Sequence, residues 1–278
     1  MPTTRKRKPP AAAPNGNARW ARDWEAEQAA SEPAKKPRKF SGGTAAEPTA
    51  VPKKADKMAG SATPAPQDSA WFDRYVGVDE DYRRYMREEW GFEKRGDQPL
   101  FEKLCLEGAQ AGLSWATILT KREAYRRAFH KFDIKACAAM SAADEERLMQ
   151  DDGRTGADAI VRNRAKIKSV VKNAQAVLAL QREGAARGGS PPRHGHFDAF
   201  LWDFVGGKPR LHDRKTGEAC PSKDDVSEEM SRALKARGFG FVGPTICYSL
   251  MQSCGLIIDH PAGTPEWEAA KKRLAQRK

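Results

Sequence analysis

The segment Ser227 to Gly255 (SEEMSRALKARGFGFVGPTICYSLMQSCG) constrains the fold more tightly than any other. It predicts a helix from Ser227 to Arg237, a turn carrying Gly238, Gly240 and Gly243, and a second helix from Pro244 to Cys254. Serine is a good helix cap, Glu228 and Glu229 suit a first turn, and Lys235 and Arg237 suit a last one. Proline at the first helical position gives up no hydrogen bond. Glycines let a backbone approach another surface closely, and the amides of Gly243, Thr245 and Ile246 at the second helix's start can hold a phosphate. Such a layout reads the DNA backbone without regard to sequence. The same residues also describe an ordinary helical hairpin with a glycine stop and a proline start.

The rest of the chain is of two kinds. Residues 1 to 68 carry 13 Lys+Arg, 7 Asp+Glu and 10 prolines, and hold half of the net charge of +12. So little apolar surface cannot offset the entropy of ordering, and the segment is expected to be disordered. Its basic clusters, Arg5 to Lys8 and Lys35 to Lys39, are compatible with an import signal, a nucleic-acid arm, an organelle-targeting segment or a solvated tail. From Ser69 the composition changes: Trp71, Phe72, Tyr75, Tyr82, Tyr85, Trp90 and Phe92 follow closely. Further helices are expected from Asp79 to Trp90, Leu100 to Gly112, Ser114 to Phe129, Asp144 to Gln150 and Ala159 to Arg182. Sustained alternation of apolar and polar residues is scarce, so the fold class is all-α. The expected division is a basic tail (1–68), a helical domain (69–264) and a basic C-terminal tail (265–278).

No run reaches the roughly 18 apolar residues of a membrane span, and the first thirty residues lack the apolar core of a secretory signal. Five cysteines with no Cys-x-x-Cys pair argue against a disulfide framework and a common zinc module. An intracellular location is expected, in a nucleus or organelle or in bacterial cytoplasm, with no membrane partner.

Leu104 to Ile118 (LCLEGAQAGLSWATI) is apolar or small apart from Glu107, Gln110, Ser114 and Thr117. A carboxylate in such a setting lies at a solvated edge or beside a ligand. Tyr82 and Tyr85 share a helix face, and with Trp115 and Glu107 they would suit a flat, electron-poor or cationic ring. The bland alternative is three core aromatics and an acid paired with a base.

Two stretches carry a resemblance. Cys105 to Trp115 (CLEGAQAGLSW) and Arg237 to Ser249 (RGFGFVGPTICYS) resemble segments of the DNA-3-methyladenine glycosylase I family of helix-hairpin-helix glycosylases. Glu89-Trp90-Gly91, Phe129-His130-x-Phe132-Asp133 and Phe200-Leu201-Trp202-x-Phe204-Val205 fall in the family's order, and the likeness runs from about Arg74 to His260. The resemblance implies a helix-hairpin-helix glycosylase fold, double-stranded DNA with an alkylated base as partner, and a monomer. It implies hydrolysis of the N-glycosidic bond of 3-methyladenine, leaving an abasic site, with Glu107 as the catalytic residue and Tyr82, Tyr85 and Trp115 binding the base. Leu113 would sit near the gap left by the base, and Lys235, Arg237, Gly243 and Thr245 would contact DNA. A catalytically inert DNA-binding protein and a glycosylase for another alkylated base, such as 3-methylguanine, are the alternatives. Asp259 matches the place where other superfamily members keep a catalytic aspartate, which this family does without. No lysine stands beside the hairpin in the position typical of a lyase, so the activity expected is monofunctional.

The chain also departs from the family. Many members hold a zinc with two cysteines and two histidines; here the four positions read Asp73, Met86, His260 and Thr264. Only His260 is a conventional member of that set, so no zinc and no other cofactor is expected. A longer segment at Asp151 to Arg164, followed by Lys166, Lys168 and Lys172, would either extend a phosphate-binding surface or form a solvated face.

Overall fold

A computed structural model describes residues 79–186, 192–215 and 218–276, all within the unit Ser69–Lys278. The tail expected over residues 1–68, and Trp71, Phe72 and Asp73, lie outside the described residues. Helix α1 (Glu80–Glu88) starts where the Asp79 carboxylate accepts from the Tyr82 amide at 2.8 Å. Its chain turns away at Gly91, whose φ of +77° suits glycine. Helix α2 (Asp97–Gln110) buries Leu100, Phe101, Leu104, Cys105, Leu106 and Ala109, and Lys103 and Glu107 with them. A helix enclosed on nearly every side is a core element, and here it is the one that carries the candidate acid.

The helix expected from Ser114 to Phe129 is two: α3 (Trp115–Thr120) and α4 (Arg122–Ala128), which meet at Lys121. The Lys121 ammonium reaches the carbonyls of Gly156 and Ala159, tying this corner to the longer 151–164 segment. Helices α5 (Ile134–Ala138) and α6 (Ala142–Met149) lead to the long α7 (Arg164–Ala186). The helix expected from Ala159 starts later because Asn163 caps it: its side chain accepts from the Lys166 amide at 3.1 Å. The apolar residues of 197–205 (FDAFLWDFV) lie mostly in helix α8 (His196–Asp203).

Helix α9 (Asp225–Ala236) is capped by Asp224 rather than by Ser227, which is the third residue of a reciprocal capping box. Helix α10 (Pro244–Ser253) opens with Pro244 in its first turn. α7 packs along α5 and α2, α9 against α10, and α10 against α2, so the glycine hairpin and α2 share one core. The strand content among the described residues is a two-residue parallel pair, β1 (Arg210–Leu211) with β2 (Ile257–Ile258).

The C-terminal segment corrects the expectation of a basic tail from 265. Pro265–Ala275 is helix α11, with the Thr264 hydroxyl as its cap and Trp267 and Ala270 buried. The Trp267 indole donates to the His212 carbonyl at 2.8 Å. The charged residues of α11 outnumber its two buried anchors, Trp267 and Ala270, so composition alone suggests a tail.

Candidate functional site

A cavity of about 180 Å³ opens between α1, α2, α3 and α10. Tyr82, Tyr85 and Trp90 line it from the α1 side, Glu107 and Gln110 from α2, Trp115 from the start of α3, and Ser249, Gln252 and Ser253 from α10. The four residues expected at a base pocket, Glu107, Tyr82, Tyr85 and Trp115, therefore share one wall system. The Tyr85 and Trp115 rings are 5.2 Å apart and Tyr82 lies 6.2 Å from Tyr85, a stepped aromatic surface sized for a flat ring. Trp115 is held in register by Ser114, whose side chain caps α3 through the Thr117 amide.

Sequence reasoning missed Lys103. It lies one turn before Glu107 on α2, and the two are 5% and 4% exposed. Its ammonium stands 3.2 Å from Glu107 Oε1, donates to the Tyr85 hydroxyl at 2.7 Å, and lies 3.5 Å from the centroid of the Trp115 ring. Burial lowers the Lys103 pKa and the Glu107 charge opposes that shift. Burial raises the Tyr85 pKa well above that of a free phenol, and the nearby Glu107 charge adds to this, so Tyr85 stays a neutral donor. The signal available in the sequence was a Lys and a Glu four apart in an otherwise apolar stretch, a spacing that puts them on one helix face.

Next to the cavity, the chain turns at Gly112 and exposes Leu113, at 40% the one exposed large hydrophobic side chain among the described residues. The turn is braced from α7, since Lys166 donates to the carbonyls of Ala109 and Ala111 at 2.8 Å each. Lys166 is thus a helix-end anchor, Arg164 pairs with Glu146, and Arg162 pairs with Asp151 and Asp152. Arg162 and Arg164, at the end of the 151–164 segment, are thus paired with the protein's own acids.

The glycine hairpin is fixed from both flanks. Asn173 on α7 accepts from the Gly240 amide at 2.7 Å and donates to its carbonyl, while Ser231 on α9 donates to the Val242 carbonyl at 2.6 Å. Gly238 has φ +85°, and even Phe241 is held at φ 53°. A Cβ at Gly108 would come within 3.1 Å of Phe241 Cβ, so glycine in α2 lets the hairpin lie close to the cavity wall. Thr245 and Lys235 are exposed and Gly243 caps α10. The Thr245 and Ile246 amides have no intrahelical acceptor at a helix start, the arrangement that holds an anion. Arg237 is engaged instead, paired with Glu183 at 2.7 Å and packed on Phe200.

The sequence profile of the methyladenine glycosylase family matches residues 75–266. The chain belongs to that family. Over 186 residues it is 46% identical to DNA-3-methyladenine glycosylase of Haemophilus influenzae, covering 67% of this chain and 92% of the relative. A solved structure of 3-methyladenine DNA glycosylase I superposes with a TM-score of 0.61 at 43% identity, covering 69% of this chain and 96% of that one. The Staphylococcus aureus 3-methyladenine DNA glycosylase I, whose recognition of 3-methyladenine has been solved, gives 0.62 at 32% identity, covering 70% and 96%.

In this glycosylase Asp259 also borders the cavity, and its surroundings decide its role. Oδ2 accepts from Tyr248 (2.9 Å), Gln252 (2.8 Å) and Cys220 (3.0 Å), and Oδ1 faces His212 Nδ1 (3.3 Å) and Arg214 Nε (3.5 Å). Burial opposes the charged form, yet these donors hold the carboxyl well below the usual carboxylate range. Burial pushes the Cys220 thiol up to about 12 and, with the Asp259 charge, raises the Tyr248 phenol, so both remain protonated donors. A carboxylate with both oxygens occupied is a structural hub, not a base.

Of the four positions at which the resemblance places a zinc, Asp73 lies outside the described residues, and Met86 and Thr264 are poor ligands for the metal. Met86 is buried in the core, and the Thr264 hydroxyl donates to the Pro261 carbonyl while capping α11. His260 is packed edge-on against Trp90 at 4.8 Å and its pKa is pushed down to about 4, by burial first and by Arg273 second. Among the described residues no group of three or more His, Cys, Asp or Glu could hold an ion. Nor is any described helix long and apolar enough to cross a membrane.

Proposed function

We infer that the aromatic cavity receives a methylated adenine turned out of duplex DNA and that this chain hydrolyses its N-glycosidic bond, as a base-excision repair glycosylase. The observation that carries this reading is the convergence of Glu107, Tyr85 and Trp115 on one cavity beside an exposed Leu113. Methylation at N3 makes the base a cation, so the bond from C1′ to N9 breaks with its electron pair neutralising the leaving group. Water then adds to the sugar carbon and gives up a proton to solvent. No strong acid is required, and the enzyme's task is to extract, select and hold the damaged base.

Glu107 accepts a hydrogen bond from the base and stabilises its cationic character, while Trp115, Tyr85 and Tyr82 stack on or border the ring. Leu113 fills the space the base leaves, as apolar wedges do elsewhere. The hairpin amides at Thr245 and Ile246 take a backbone phosphate, with Lys235 nearby and Arg237 exchanging Glu183 for DNA. We take the enzyme to work inside the cell as a monomer, Leu113 being the one exposed large hydrophobic side chain among the described residues. It needs no zinc, and metal analysis finding one tightly held zinc per chain would refute that.

The deciding experiment is release of free base from methylated duplex DNA, resolving 3-methyladenine from 7-methylguanine and 3-methylguanine. Selective release of 3-methyladenine by wild type, reduced at least 100-fold in Glu107→Gln, is expected. Binding without release would instead favour a protein that only grips DNA.

A further inference from the structure

Helix α7 joins two features that would face DNA, the Leu113 turn and the glycine hairpin. Near its start, Lys166 holds the carbonyls of Ala109 and Ala111 beside the turn. Two turns later Asn173 holds both backbone groups of Gly240, and a Cβ at Gly240 would come within 3.3 Å of Ser169 Cβ. Between these braces the helix exposes Lys168 and Lys172, four residues apart and so on one face. The Lys172 side chain runs beside the hairpin, its Cε 3.9 Å from where a Cβ at Gly238 would stand.

The cations around this face are of two kinds. Arg162, Arg164 and Arg237 are engaged by acids, and Lys166 by its two carbonyls. Lys168, Lys172 and Lys235 are exposed and form no ion pair with any described acid. Lys168 is only a remote neighbour of Glu146, whose carboxyl is lowered first by its hydrogen bond from Arg164. A lone exposed lysine is ordinary. Here the unpaired ammoniums border a turn whose helix-start amides already suit an anion, so their fields add at one place.

We propose that Lys168 and Lys172 form a backbone track, extending the hairpin's phosphate site along the stretch of α7 that leads back to the Leu113 turn. This rests on the function inferred above. The helix sets the two lysines about 6 Å apart along its axis, so each meets its own phosphate. Their attraction carries no sequence information and acts on undamaged DNA as much as on the lesion, so it serves the search that precedes base extraction.

The test measures binding of the full chain to a short unmodified duplex by fluorescence anisotropy over a series of salt concentrations. Each phosphate contact adds about 0.9 to the slope of log affinity against log salt, so Lys168→Gln with Lys172→Gln is expected to flatten it by about 1.8. Over a fourfold rise in salt the wild type then loses about tenfold more affinity than the variant. Both side chains are exposed and glutamine is a good helix former, so the variant keeps the fold. The 13 Lys+Arg of residues 1–68 are common to both proteins and drop out of the difference. Lys168→Arg with Lys172→Arg, which keeps both charges, is expected to retain the wild-type slope. Lys271→Gln with Lys272→Gln removes the same charge from the exposed side of α11 and is expected to leave the slope unchanged. An unchanged slope in the Lys168/Lys172 glutamine variant overturns the proposal. So does an equal flattening in the α11 variant, which would report net charge alone. Base release from methylated duplex is run alongside. Release by wild type with no flattening in the Lys168/Lys172 variant removes the track alone, whereas no release and no salt-dependent binding by wild type removes the functional reading with it.

Discussion

Glu107 and Asp259 are carboxylates in the wall of the same cavity, both cut off from water, yet their surroundings divide the work between them. Glu107 meets one ammonium through one oxygen, on a helix otherwise lined with aliphatic and aromatic side chains, and its second oxygen remains for a donor on the base. Asp259 gathers a phenol, an amide, a thiol, an imidazole and a guanidinium from α10 and from the chain after β1. Burial alone does not mark a functional acid. The number of donors already in place does, because each must be given up before the carboxylate can serve a ligand.

The harshest test of that division is Asp259→Asn. An amide can neither balance the Arg214 guanidinium nor accept from all of Tyr248, Gln252, Cys220 and His212, and breaking a buried charged cluster typically destabilises by about 3 to 5 kcal/mol. The expected result is a large fall in melting temperature with base release per folded molecule within about threefold of wild type. A variant that melts like wild type but loses excision would reverse the assignment. Glu107→Gln is the mirror image. The 100-fold loss of release expected of it corresponds to about 2.7 kcal/mol of transition-state stabilisation. Its melting temperature should move less, because one ion pair rather than a cluster is broken and Lys103, whose pKa burial already lowers, can give up its proton.

The sequence made one of these acids legible and not the other. Glu107 stood out because eleven consecutive residues around it resemble a family segment and because it is the acid of an apolar stretch. Its partner Lys103 fell just outside that segment and read as one more lysine. The hub at Asp259 was invisible because His212, Arg214, Cys220, Tyr248 and Gln252 are up to 47 residues away in the chain and converge only after β1 pairs with β2. The hairpin was legible, since glycine and proline act locally. Its braces, Asn173 and Ser231, were not, because they depend on how α7 and α9 pack. Helix ends missed by a few residues for the same kind of reason: Asn163 and Asp224 cap where charge and apolar periodicity alone suggested otherwise.

Acid sharpens the comparison, because His260 stands beside Asp259 and titrates first. Its pKa in the folded protein is about 4, below that of a free imidazole. The neutral ring therefore favours the folded state fully above about pH 6.5, and this contribution is lost as pH falls toward 4. The loss should reach roughly 2 kcal/mol by pH 5. Asp259 behaves as a depressed carboxylate: its contribution is present above the usual Asp range and disappears only as pH falls through its lower folded value. Urea titrations should show one decline between about pH 6.5 and 4 that His260→Gln flattens, and a second at lower pH that Asp259→Asn removes. A single decline unaffected by either substitution would leave the acid sensitivity elsewhere.

Thr264→Ala is the gentlest probe, and it acts on the hub from a distance. Thr264 caps α11, α11 carries Trp267, and the Trp267 indole holds the carbonyl of His212, whose ring faces Asp259. Loss of a threonine cap costs about 1 kcal/mol. For a domain of this size that is a fall of about 2 to 4 °C in melting temperature. None of these contacts reaches Lys103, Glu107, Tyr85 or Trp115, so base release should be unchanged within error. A drop in release that tracks the lost stability, in protein that is still folded at the assay temperature, would mean that the two acids share one cooperative unit and that the hub sets the geometry of the base pocket.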